Sequence, residues 1–154
     1  MIRKATKADA STVWQIRSQA ILRTCSSHYS QEIVSNWSSV PMPDGFADVL
    51  VHHGALVFEV QNQLLGFGFV DIEQCRLEAL FVSPDCVGKG YGRLIASELL
   101  LVAKHAGVKL LTLSSSLNAV KFYQGLGFEA KEETLWVHPL GFEITSVLMA
   151  KQLS

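Results

Sequence analysis

The chain reads as a mixed α/β fold, with one central sheet of about seven strands and helices on both faces. Three observations predict it. Between 55 and 82, three strand-like runs follow one another through tight turns, the pattern of an antiparallel meander. From 90 onward, helical patterns alternate with short strands, which brings parallel pairing into the same sheet. Two further strand-like runs then close the chain across a short loop. At 154 residues, 49% apolar and 18% charged, the chain can build one substantial core, so a single domain spanning 1–154 is expected.

The elements follow in order. Ile2–Ala5 is a short first strand. Thr6 and Asp9 stand at capping-box spacing, with Asp in the place of Glu. Val13, Ile16, Ala20 and Ile21 then form the apolar stripe of a helix over 7–24. Ser30 caps a second, short helix carrying Ile33, Val34 and Trp37. Pro41 and Pro43 end it, and 39–46 reads as a loop. Ala55–Gln61 and Gln63–Ile72 are strands around a tight turn at Gln61-Asn62-Gln63, and Cys75–Val82 is the next strand. A long helix covers 90–106 and a short strand covers Val108–Leu113. A helix over 118–125 ends on a glycine cap at Gly125 or Gly127. Phe128–Val137 and Phe142–Ala150 are the last strands, separated by His138-Pro139-Leu140-Gly141.

Charge and cysteine usage exclude several function classes. Lys and Arg number 13 against 14 Asp and Glu, so the chain lacks the basic excess that nucleic acid or an anionic membrane surface demands. The start, MIRKATKAD, has no apolar leader, and the apolar run Leu99–Ala103 is far too short for a membrane span. Cys25, Cys75 and Cys86 are odd in number and unpatterned, which argues for a reducing cytoplasm rather than a disulfide framework. Cys25, His28, His52 and His53 match no familiar zinc spacing, so no metal site is expected.

The chemistry-bearing stretch is Val87-Gly88-Lys89-Gly90-Tyr91-Gly92-Arg93, set between the strand LEALFV and the helix LIASELLLVAKHA. Alternating glycines let several backbone N–H groups point into one concavity, and a helix start adds unpaired N–H groups and positive dipole. The spacing is not that of a P-loop, which would need a glycine at Ser83. Nor is it G-x-G-x-x-G with an acid about 20 residues on, since the region around Lys109 offers none. On the residues alone, two readings stay open: a cradle for a pyrophosphate-bearing cofactor, or a glycine turn with no ligand.

A second stretch, Ser116-Leu117-Asn118-Ala119-Val120-Lys121-Phe122-Tyr123-Gln124-Gly125-Leu126-Gly127-Phe128, adds a pattern. Together with the glycine turn it resembles the GNAT superfamily of N-acetyltransferases, whose members carry a Q/R-x-x-G-x-G/A turn followed by an S-x-N-A-x-x-F-Y-x-x-x-G-F helix. Both motifs stand in that order here, and the element order matches over nearly the whole chain. The resemblance implies the GNAT-type acyl-CoA N-acyltransferase fold, in which strands 4 and 5 splay apart around acetyl-CoA. It implies pyrophosphate binding by the backbone of Val87, Gly88, Lys89, Gly90, Tyr91 and Gly92. It also implies charge from Lys89 and Arg93, pantetheine pairing by the backbone of Leu80, Phe81 and Val82, and cofactor contacts from Asn118 and Phe122. Val87 departs from the family pattern, where Gln or Arg is usual, so one side-chain contact is missing.

The same resemblance assigns chemistry. Acetyl transfer to an amine needs a base, because an alkylammonium has a pKa of about 10.4, and an acid for the departing thiolate. Tyr123 stands at the position of the family's acid. Glu78, on the strand feeding the glycine turn, stands where members often place the base, acting directly or through a water. Strand alternation sets Cys75, Leu77, Ala79 and Phe81 on one face and Arg76, Glu78, Leu80 and Val82 on the other. Both faces are apolar enough to be covered, so a carboxylate there needs a role or a partner, and Arg76 is the near one. His28, Tyr29 and Trp37 fall on the family's acceptor side. The acceptor is then a primary amine on a small molecule or peptide. A homodimer is in keeping with small members of the family, though no residue specifies it. The rival function on the same fold is an acyl-CoA-binding sensor with weak turnover.

Overall fold

The computed structural model describes Met1–Leu153; Ser154 lies outside the described residues. The elements are β1 (Ile2–Lys4), α1 (Ala10–Thr24), α2 (Gln31–Ser38), α3 (Phe46–His52), β2 (Leu56–Val60), β3 (Gln63–Asp71), β4 (Arg76–Val82), α4 (Tyr91–His105), β5 (Leu110–Ser116), α5 (Val120–Gly125), β6 (Glu129–Val137) and β7 (Glu143–Gln152). They build one seven-stranded sheet in the order β1-β2-β3-β4-β5-β7-β6. Every neighbouring pair is antiparallel except β4 and β5. Thus the predicted mixed sheet is present, and its single parallel pair falls at the strand junction that the resemblance singles out.

Local chemistry explains most boundaries. The Thr6 N–H donates to Asp9 Oδ2 at 2.8 Å, so the capping box forms with aspartate. Gln61 and Asn62 take φ of 52° and 64°, the left-handed pair of a two-residue hairpin turn. Pro43–Gly45 hides a helix that the sequence reading left out. Gly45, at φ 82°, caps α3, whose seven residues bury Leu50 fully while Val49 and Val51 stay exposed. A helix of two turns rich in valine lacks the length over which a 3.6-residue period is legible. Strand β5 runs three residues past the expected end, because Ser114, Ser115 and Ser116 pair with Leu148, Val147 and Ser146 of β7. Cross-strand pairing overrides the loop character of serine there.

The two faces of the sheet carry separate cores. Ile95, Leu99 and Ala103 of α4 pack with Val70, Leu77, Leu111, Leu113, Tyr123, Phe128 and Met149 on one face. Val13 and Ile16 of α1 and Leu50 of α3 pack with Val57, Phe67 and Phe69 on the other. Burying one such Ile, Leu or Phe stabilises the fold by roughly 1.5–3 kcal/mol. Gly66 and Gly68 let α4 lie close on β3. A Cβ would come within 2.9 Å of Ile95 Cδ1 at Gly66 and within 2.8 Å of Leu99 Cδ1 at Gly68.

One irregularity in the sheet bears on the site. Phe69 pairs with Ala79 but Val70 pairs with Leu77, which leaves Glu78 as the extra residue of a β-bulge. A slip of one residue reverses which side chains share a face. Leu77 therefore joins the α4 core, whereas Ala79 and Phe81 pack on the α1 side. This corrects the simple alternation, in which Leu77, Ala79 and Phe81 shared a face. Glu78 is also exposed rather than covered.

Candidate active site

The turn between β4 and α4 is built for free N–H groups. The Ser83 N–H closes the β3–β4 ladder on Leu65 O at 2.7 Å, and a short 3-10 turn over Pro84–Cys86 then buries Cys86. Gly88 and Gly90 follow with φ of 86° and 84°, a conformation that costs a side-chain-bearing residue about 1–2 kcal/mol. Two donors of the turn are used internally: Val87 N–H to Pro84 O at 3.5 Å and Lys89 N–H to Cys86 O at 3.3 Å. Among the described residues, the N–H groups of Gly88, Gly90, Tyr91, Gly92 and Arg93 have no acceptor. Within the row expected from Val87 to Gly92, these are therefore the most open donors. The turn spends its first and third donors, at long distance, on its own shape and leaves Gly88 and the donors from Gly90 onward free, the latter at the positive end of the fifteen-residue α4. Lys89 and Arg93 are exposed beside them. Val87 presents only an apolar side chain, 68% exposed.

From this turn a gap opens between β4 and β5. The two strands pair only at Arg76 and Thr112, with the Thr112 N–H donating to Cys75 O at 3.0 Å. Beyond that point they diverge. The bond from Ser83 to Leu65 fixes the alternation of the antiparallel ladder. It turns Phe81 and Ala79 toward β3, and the backbone polar groups of Leu80 and Val82 toward the gap. Phe81 accordingly gives the gap its side chain, stacked on Phe67 at 5.7 Å, and not its amide.

The gap is a cleft of about 470 Å³ whose lining includes Leu80, Val82, Gly92, Phe122, Asn118 and Tyr123. Gly92 lets the helix start lie close against it: a Cβ there would stand 3.3 Å from Val82 Cγ2 and 3.5 Å from the Phe122 ring. Glu78 is brought to the same cleft by its bulge, and Tyr123 by the first turns of α5. The Tyr123 ring packs edge-on against Phe122 and Phe128, and its hydroxyl has no partner among the described residues. Burial pushes the phenol pKa well above its ordinary value, so it holds its proton at neutral pH. Asn118 Oδ1 is a buried acceptor with no donor. In a polar position of a ligand-sized cleft, such an atom fits a ligand N–H. The free N–H turn, the outward amides of Leu80 and Val82 and this orphaned acceptor suit a diphosphate joined to an amide-bearing arm.

Two residues of the site escaped the sequence reading. Ser114 lies one residue past the expected end of β5, yet it belongs to that strand and lines the cleft. Arg76 figured only as a neighbour of Glu78. In the structure Arg76 Nε donates to Glu78 Oε1 at 3.1 Å and Nη2 to Ser114 Oγ at 2.9 Å, clasping the root of the gap. The extra polar pair on β4 and the serine run after TL were the available signals.

The acceptor-side expectations separate. Trp37 lines the cleft, together with Ala20, Thr24 and Cys25 of the α1 end. Tyr29 is instead a tie. Its hydroxyl donates to Thr145 O at 2.6 Å and accepts from the Leu117 N–H at 2.9 Å, binding the α1–α2 loop to β7 and to the short turn that leads from β5 into α5. It also meets Trp37 edge-on at 5.5 Å. His28 lies on the surface against Ser27 Oγ, outside the cleft. His52 and His53 end α3, the latter stacked on Phe69 at 5.5 Å, and no group of three His, Cys, Asp or Glu converges among the described residues. No helix of the described residues is long and apolar enough to cross a membrane.

Comparison with known proteins bears on this geometry. The family model described as an acetyltransferase (GNAT) domain matches residues 25–142. The chain is 31% identical over 91 residues to an uncharacterized N-acetyltransferase of Methanocaldococcus jannaschii. That match covers 51% of this chain and 40% of the relative, so the chain accounts for less than half of that protein's length. Among solved structures, a GCN5-related N-acetyltransferase from Rhodopseudomonas palustris superposes with a TM-score of 0.92 at 25% identity, covering 99% of this chain and 94% of that one. The Salmonella typhimurium protein YncA, solved with its cofactor acetyl-CoA, superposes with a TM-score of 0.67 at 24% identity, covering 100% and 94%.

Proposed function

We propose, from the premise that this chain belongs to the GNAT acetyltransferase family, that it transfers the acetyl group of acetyl-CoA directly to a primary amine bound at the β4–β5 cleft. The observation that carries this reading is the continuity of the site. One cleft leads from Val87 and Gly92 of the glycine turn, past the outward backbone of Leu80 and Val82, to Glu78 and Tyr123, and the unpaired N–H groups of Gly88, Gly90, Tyr91 and Arg93 flank its turn end in sequence. Acetyl-CoA, when bound, supplies the activated acyl group as a thioester.

The chain's own residues do the rest. The turn donates to the diphosphate, with Lys89 and Arg93 adding charge, and Leu80 and Val82 align the amide-bearing arm. Asn118 Oδ1 accepts from a ligand N–H, and Phe122 walls the cleft. Glu78, directly or through a water, takes a proton from the incoming ammonium. With a pKa of about 10.4, that ammonium would otherwise cost roughly 4–5 kcal/mol to deprotonate near pH 7. Tyr123 gives its proton to the departing thiolate and regains one from the acylated nitrogen, so the reaction releases one proton to solvent in all. Holding both reactants in one cleft replaces any need for an acyl-enzyme.

Val87 favours a second reading, a cleft that binds the thioester and turns it over poorly, because the turn's first side chain offers no polar contact. One experiment separates the two. Calorimetry should show acetyl-CoA binding, and thiol release with an amine panel should fall about 100-fold or more in Tyr123→Phe with binding retained. No binding of acetyl-CoA overturns both readings. Binding with no release on any amine, and no effect of the substitution, favours the sensor.

A further inference from the structure

We propose that the acceptor is a free α-amino acid with an uncharged side chain, held by Arg76 through its carboxylate and by Glu78 through its ammonium. This rests on the acetyl-transfer reading above and specifies the substrate class of the same cleft. Three observations carry it. First, Glu78 is the one charged residue among those lining the cleft, and the guanidinium bonded to it makes the pair neutral as a unit. A polycationic amine would gain little there, whereas an acceptor that is itself neutral overall meets matching charge.

Second, the pair has unused capacity on both sides. Arg76 carries five N–H donors, of which Nε is spent on Glu78 Oε1 and Nη2 gives one to Ser114 Oγ. Nη1 has no acceptor among the described residues, and neither does Glu78 Oε2 have a donor. Nη1 keeps both its N–H donors and Nη2 keeps one, enough for a guanidinium to bind a carboxylate. Both side chains remain about one third exposed, Arg76 at 34% and Glu78 at 35%; Arg76 does not itself line the cleft but borders it through Glu78 and Ser114, which do.

Third, the placement matches the chemistry. Ser114 of β5 holds the guanidinium across the root of the gap, at the end of β4 remote from the glycine turn, and the bulge at Glu78 turns its carboxylate into the cleft beside it. An ammonium and a carboxylate borne on a single carbon can face two side chains that are themselves in contact at 3.1 Å. The α1–α2 wall of the cleft, Ala20, Cys25 and Trp37, carries no charge and suits an uncharged side chain. A peptide N-terminus, a polyamine or a decarboxylated amine would leave the spare donors of Arg76 unfilled.

Saturation-transfer NMR with the twenty free amino acids, on the full chain with and without coenzyme A, gives a readout independent of turnover. An acetylation assay with the same panel, the matching decarboxylated amines, the amino-acid amides and spermidine completes the test. The expected result is signal and acetylation for one or more uncharged amino acids, and at least tenfold lower kcat/KM for their amides and decarboxylated forms. Arg76→Gln should raise the KM for the amino acid at least tenfold and leave the acetyl-CoA Kd unchanged, with Arg76→Lys recovering part of the loss. Equal or better use of spermidine or decarboxylated amines overturns the inference. So does neither binding nor acetylation of any free amino acid while acetyl-CoA still binds, a result that leaves the cofactor reading standing. Failure to bind acetyl-CoA removes both.

Discussion

Gly90→Ala and Gly107→Ala form a matched pair that isolates what the glycine turn does. Both positions have left-handed backbone, φ 84° and 87°, and an added Cβ would meet nothing within 4 Å at either. The cost of each substitution is therefore conformational and not steric, about 1–2 kcal/mol. For a chain of this length that lowers Tm by roughly 2–8 °C in both variants. The two glycines differ in what depends on them. Gly107 closes the turn after α4, its N–H donating to Lys104 O at 3.0 Å, far along the helix from the cleft. Gly90 caps the start of α4, and relief of its strain rotates peptides whose N–H groups are unpaired. Losing one charge-assisted hydrogen bond to a phosphate costs about 1.5–3 kcal/mol, which is roughly 10- to 100-fold in Kd. Thermal melts and calorimetric titration with acetyl-CoA read the two quantities separately. Equal Kd values in the two variants would refute the role given to the turn, whatever their melting temperatures.

Other outcomes follow from the ties around the site. Arg3 grips Asp9 through two bonds of 2.8 and 3.1 Å and reaches Glu59 at 3.0 Å, joining β1, β2 and the entry to α1. That pairing holds the Asp9 carboxyl at about 2, below the ordinary value of about 3.9. Its stabilisation is complete above pH ~4 and disappears as the pH falls toward 2. Asp9→Asn should therefore lose about 1–2 kcal/mol in urea melts at pH 7, with the gap to the parent protein closing at pH ~2–3. Tyr29→Phe removes a donor from Thr145 O and strands the Leu117 N–H beside Asn118, at a cost of about 1–3 kcal/mol. The same variant should raise the acceptor KM more than the acetyl-CoA Kd, because the α1–α2 loop carrying Trp37 is what loosens. An unchanged melting curve would show the tie to be idle.

Much of the scaffold was legible because it rests on residues with a narrow choice of conformation. Thr6 with Asp9, Gln61 with Asn62, and Gly88 with Gly90 each encode a local geometry, and each forms in the structure. The strand–helix order from β2 to β7 was legible for the same reason, since the punctuation lies in Gly, Pro and Ser. What depends on pairing was not. The bulge at Glu78 arises from the register of β4 against β3, and no property of LEALFV alone announces that Leu77 and Phe81 face opposite sides. The insertion of β7 between β5 and β6 likewise depends on which strands meet. Helix α3 was missed because Phe46–His52 is short and valine-rich, and its capping glycine follows two prolines. At the site, Tyr123, Glu78, Asn118 and Phe122 do come to one cleft. Ser114 lines it, with Arg76 bonded behind, only because β4 and β5 part just beyond them, and His28 stays outside because the loop turns it to solvent.

The central claim is that the amides after Val87 and those of alternate β4 residues grip acetyl-CoA, and a ¹H–¹⁵N titration of the labelled chain with coenzyme A addresses it amide by amide. The account predicts the largest shifts at Gly88, Gly90, Tyr91, Gly92, Arg93, Leu80 and Val82, with smaller ones at Val87, Lys89 and Phe81, whose N–H groups are already bonded within the turn or the sheet. Shifts centred on the groove between α2 and the β6–β7 loop, with the glycine turn silent, would contradict it.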